Sequence, residues 1–112
     1  MDIQIERSFT TNDGVEVITQ RLDMWSLKYG FVCTSNVTGS LEFRRGSHLV
    51  AAFTFDVRKI PTVVSVTLKG EQPTSIRCSL RVKSWLNIAT PGDYKRVEEQ
   101  ADLLVSYLKG VI

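Results

Sequence analysis

TPGDYKRVEEQADLLVSYLKG, residues 90–110, is the stretch on which the architecture turns. Tyr94, Val97, Ala101, Leu104 and Leu108 recur at intervals of three and four, which places them on one face of a helix. Thr90 suits the N-cap, and Pro91 the first helical position, where no backbone donor is needed. Asp93 complements the helix dipole, and Gly110 supplies a stop after Lys109. A helix with a single apolar face needs a partner layer to cover it, so the preceding residues must supply one.

Working back from that helix, the chain alternates with period two from Phe31 to Ile88. Ile76, Cys78, Leu80 and Val82 alternate with Arg77, Ser79, Arg81 and Lys83. Val64, Val66 and Leu68 alternate with Ser65, Thr67 and Lys69, and Gly70 to Pro73 reads as the turn between the two runs. Pro61 cannot donate to a sheet ladder and marks a strand start or edge. Residues 49–57 carry an apolar row, Leu49, Ala51, Phe53, Phe55 and Val57, with Val50 and Ala52 opposite; a strand is expected, with a short helix as the alternative. Leu41 and Phe43 alternate with Glu42 and Arg44, Phe31 and Cys33 with Val32 and Thr34, and Asn36 to Gly39 forms the intervening turn.

Upstream of these runs, Val15, Ile18, Leu22, Trp25 and Tyr29 repeat the helical spacing between the caps offered by Thr11, Asn12 and Asp13 and the stop at Gly30. Ile3, Ile5 and Phe9 form a first strand, with Arg7 on its apolar parity, as at an edge or a bulge where the stem packs and the head is solvated. The predicted fold is one α+β domain over residues 1–112, β-α-β-β-β-β-β-α, an antiparallel meander with both helices on one face.

The chain has 112 residues, 43% of them hydrophobic and 23% charged, ordinary proportions for a globular domain. No apolar run approaches the roughly 20 residues of a membrane span, and the N-terminus reads as neither signal nor transit peptide. A cytoplasmic protein with two reduced core thiols, Cys33 and Cys78, is expected. The net charge of +2 is unevenly spread: residues 31–88 carry +5, while residues 1–30 carry −2 and residues 89–112 carry −1. The predicted sheet is basic and the helices are mildly acidic.

The order of elements resembles the helix-grip architecture of the START and Bet v 1-like superfamily, with a strand, a helix, an antiparallel meander and a long C-terminal helix. The segment LEFRRGSHLVAAFTFDVRK, residues 41–59, is also similar to small bacterial proteins of unknown function. The helix-grip resemblance implies an apolar ligand held between the long helix and the curved sheet.

Candidate chemistry is sparse. His48 is the sole histidine, without an orienting carboxylate in its neighbourhood of sequence, and no Cys, His or carboxylate spacing suits a metal. Neither cofactor nor catalytic residue is assigned, and the expected role is a binding module for an apolar small molecule or a protein partner. Trp25, Tyr29, Phe53, Phe55, Tyr94 and Leu104 are the candidates to line a cleft between helices and sheet. The alternative is a weak nucleic-acid or anion site using Arg44, Arg45, Arg77, Arg81, Lys83 and Trp85. Leu103 and Tyr107 fall off the main stripe of their helix, as Val17 and Met24 do on the first, and suggest either a broader core contact or a homodimer surface.

Overall fold

The period-two runs become a five-stranded antiparallel sheet in a computed structural model that describes residues 2–37, 39–46, 61–70, 73–83 and 91–110. In chain order the elements are β1 (Asp2–Thr11), α1 (Val15–Tyr29), β2 (Val32–Val37), β3 (Ser40–Arg45), β4 (Thr62–Lys69), β5 (Thr74–Lys83) and α2 (Pro91–Leu108). The sheet runs β1-β5-β4-β3-β2, so the first strand returns to pair with the last and β2 through β5 form a meander. The apolar run at 49–57 lies outside the described residues.

Register explains which side chains meet. Opposite residues of antiparallel strands point to the same face. Ile5 pairs with Leu80, Leu80 with Val64, and Val64 with Phe43, which lays one apolar row across four strands. These residues are buried together with Ile18, Leu22 and Trp25 of α1 and Val97, Ala101, Leu104 and Leu108 of α2. Trp25 joins α1 to the sheet: it stacks on Phe31 at 4.5 Å between centroids and meets Phe43 edge-on at 5.9 Å. Thr62, directly after Pro61, begins β4 as its proline suggested.

Several expectations change on contact with tertiary structure. The N-cap of α1 is Gly14, with no side-chain cap bond, rather than Thr11, Asn12 or Asp13. Arg21 Nη1 donates to Asp13 Oδ2 at 2.7 Å and to the Leu108 carbonyl at 2.8 Å. Asp13 is thus committed to a clamp between the start of α1 and the end of α2, and the Arg21 bond holds its carboxyl below the usual carboxylate range. At the other end of α1 the stop is as read: Gly30 is left-handed at φ 75°, and its N–H and that of Phe31 both reach the Ser26 carbonyl.

Tyr94 is 47% exposed rather than buried, because the stripe of α2 meets the core only from Val97 onward. Cys33 is exposed, not a core thiol, while Cys78 is buried and its thiol is pushed up to about 12 by desolvation. β2 is an outermost strand, all six of its residues are exposed, and a register shift between Cys33 and Ser35 interrupts its pairing with β3. The apolar parity of that strand therefore lacks a covering layer among the described residues. Arg7 lies on the opposite edge strand as its parity implied, but its head is ion-paired rather than solvated: its Nε lies 3.0 Å from Asp102 and its Nη2 lies 3.7 Å from Glu98, both on α2.

Candidate functional site

Four elements and one connecting residue converge on a cleft of about 160 Å³. α1 contributes Trp25 and Tyr29, the residue after its cap contributes Phe31, β5 contributes Leu80, and α2 contributes Gln100 and Leu103. Arg45, the last residue of β3, completes the described lining. Helical spacing explains the first pair, since residues four apart stack on one face. The Gly30 turn then folds Phe31 back against Trp25, so three rings stand together: Trp25 also lies 6.2 Å from Tyr29.

The polar end is built from β3 and α2. Arg45 Nη1 donates to the Tyr29 carbonyl at 3.0 Å, its Nη2 donates to Gln100 Oε1 at 3.3 Å, and its guanidinium carbon sits 4.3 Å from the centre of the Phe31 ring. The cation therefore stacks on the ring while satisfying the Tyr29 carbonyl at the α1 C-terminus, where positive charge is favoured. Among the described lining residues Arg45 is the only charged one. Two carboxylates of α2, Glu98 and Asp102, pair with Arg7 on β1.

Of the expected cleft residues, Trp25 and Tyr29 line it, Leu104 is buried in the core, and Tyr94 is exposed away from it. Phe53, Phe55, His48 and Trp85 lie outside the described residues. Phe31, Arg45, Leu80, Gln100 and Leu103 complete the lining and were not assigned to it from the sequence. Leu103 carried a signal, its apolar character off the main stripe of α2. Tyr107, the other off-stripe residue of that helix, packs against the core and receives Lys28 Nζ at 5.9 Å from its ring.

The residues of the proposed anion face separate. Arg44 and Arg45 are neighbours on one strand and so project to opposite faces. Arg45 turns into the cleft, while Arg44 bonds Glu42 at 3.0 Å on the outer face. Arg77 is likewise held by Glu6 at 3.0 Å across β1 and β5. Arg81 is exposed on the outer face, and Lys83 closes β5. A larger open hollow of about 490 Å³ borders that face, where Ser8, Thr10, Thr67 and Ser75 surround Lys69 and Arg77. Phe9 and Ile76 complete its lining. No three metal-ligating side chains converge among the described residues.

No protein-family model matches the sequence, and no curated protein does. Solved structures do match. The crystal structure of Ara h 8.0201 superimposes with a TM-score of 0.62 at 8% identity, covering 99% of this chain and 97% of that one. A START superfamily protein from Mycobacterium smegmatis superimposes equally well, TM-score 0.62 at 11% identity, covering 97% of this chain and 96% of its own. The helix-grip-like, START and Bet v 1-like arrangement expected from the order of elements is thus present in the fold. Among the described residues no helix is long and apolar enough to cross a membrane.

Proposed function

We propose that this protein is a non-enzymatic binding module that takes a small apolar molecule, one aromatic ring in size, into the cleft between its helices and sheet. The observation that carries the reading is the clustering of Trp25, Tyr29, Phe31, Leu80 and Leu103 around about 160 Å³. Apolar cavities near that size hold a single ring such as benzene. The helix-grip resemblance implies a ligand in the same place, between long helix and sheet.

The expected affinity is modest. A ring burying about 150 Å² gains about 4 kcal/mol at ~25 cal/mol per Å², which corresponds to a Kd of about 1 mM. The test is a ligand-detected NMR titration with toluene, comparing the wild type with Leu103→Arg. Leu103 is only half-buried, so a longer charged side chain there leaves the core intact while placing its stem in the cleft. Saturable binding that is indifferent to salt and lost in Leu103→Arg is expected. Absence of saturable binding, or binding unaltered by the substitution, overturns the reading.

A further inference from the structure

On the outer face of the sheet, opposite the helices, we propose a second binding site, for a small phosphorylated polyol. Lys69 and Arg77 hold its phosphate, and Ser8, Thr10, Thr67 and Ser75 meet its hydroxyls. The site is independent of the apolar-cleft reading.

Register builds it. Opposite residues of antiparallel strands share a face, so Ser8, Arg77 and Thr67 form one row across β1, β5 and β4. Thr10, Ser75 and Lys69 form the next row. Each row brings two hydroxyls and one cation to the same hollow. Lys69 and Arg77 are diagonal neighbours, roughly 7–8 Å apart, a separation that long side chains close onto one anion. The hollow, about 490 Å³, falls within the span of small-molecule sites, roughly 300–1,000 Å³.

Charge selects the ligand. The described lining contains no carboxylate. Lys69 is exposed and has no ion pair or hydrogen bond among the described residues. Arg77 gives its Nη2 to Glu6 at 3.0 Å, which neutralises it in part, while its Nε and Nη1 have no acceptor among the described residues. Two cations against Glu6 leave one net positive charge, that of Lys69. A phosphate monoester carries about −1.5 to −2 at pH 7 and three acceptor oxygens, which suits an ammonium and the free edge of a guanidinium together. The four hydroxyls are also uncommitted: none has a protein partner among the described residues, whereas Ser79, further along the same face, accepts from Gln4 at 3.3 Å. A hydroxyl both donates and accepts, so this array matches the hydroxyls of a polyol.

The experiment follows amide NMR shifts at neutral pH and low salt while the protein is titrated separately with glucose 6-phosphate, glucose and inorganic phosphate. Glucose 6-phosphate is expected to bind saturably, with shifts centred on the six residues, and more tightly than glucose or inorganic phosphate. Lys69→Gln is expected to weaken that binding about fivefold, the scale of one exposed ion pair, and added salt to weaken it further. Arg81→Gln removes the same charge from the same face outside the hollow, and is expected to leave the affinity within about twofold, since salt screens more distant charges. Lys69 and Arg81 are both exposed, so neither substitution is expected to disturb folding. Absence of saturable binding overturns the inference. Equal affinity for glucose 6-phosphate and inorganic phosphate means an adventitious ion only, and equal affinity for glucose 6-phosphate and glucose removes the phosphate; either overturns it. Equal losses in Lys69→Gln and Arg81→Gln overturn it too, because the attraction would then be diffuse. None of these outcomes bears on toluene in the cleft, so the two readings fail separately.

Discussion

Replacing Trp25 with alanine tests whether α1 is anchored as described. Trp25 is 4% exposed and touches three rings, Phe31 at 4.5 Å, Phe43 at 5.9 Å and Tyr29 at 6.2 Å. Truncating a buried aromatic to alanine costs about 3–5 kcal/mol, and the stacked and edge-on partners argue for about 4 or more. A domain of this size holds only about 5–15 kcal/mol in total. In urea, with a slope of about 2 kcal/mol per M, the midpoint should fall by about 2 M. Leu27, two residues further along the same helix and 82% exposed, is the matched control. Leu27→Ala should change stability by less than about 0.5 kcal/mol. Helix propensity alone favours alanine at both positions, so only burial separates them. If Trp25→Ala cost less than about 1 kcal/mol, or if the two variants were alike, α1 would not dock on the face described here.

Other substitutions probe other joints of the fold. Gly39→Ala should destabilise by about 1–2 kcal/mol in urea unfolding, the cost of a left-handed L-residue, since Gly39 has φ 79° and a Cβ would stand 3.1 Å from the Leu68 carbonyl; an unchanged midpoint would contradict that geometry. Cys33 should react with a disulfide reagent in the native protein, whereas Cys78, buried with its thiol pushed up to about 12, should react only on unfolding. Two fast thiols, or none, would be wrong. The Asp13 carboxyl is held below its unfolded value, so its contribution is complete above about pH 4 and fades as pH falls through the folded value. Urea midpoints measured down an acid series should therefore fall more steeply in the wild type than in Arg21→Met, and parallel curves would remove the clamp from the account.

The features legible in the sequence were those set by local spacing. Ile76 to Val82 declared a half-buried strand, Pro61 its neighbour's start, Gly30 the end of α1, and the odd position of Arg7 the edge of the sheet. What spacing could not convey was which parts of each periodic face find a partner. Tyr94 and Leu104 belong to one stripe, yet α2 reaches the core only after its first turn. Cys33 has the parity of a core residue on a strand that nothing described covers. Asp13 has the chemistry of a cap but is claimed by Arg21, eight residues on. The cleft shows the same limit most clearly: Arg44 and Arg45 look like one basic turn in sequence, and the pleat sends them to opposite faces. Gln100 and Leu103 enter the site only because α2 lies over β5 beside the end of α1.

The cleft itself is tested most directly by mapping toluene onto the assigned amide and side-chain NMR spectrum of the protein. Saturable shifts concentrated at Trp25, Tyr29, Phe31, Leu80, Gln100 and Leu103 are expected. Shifts confined to Thr67, Lys69, Ser75 and Arg77 around the outer hollow, or none at all, would contradict it.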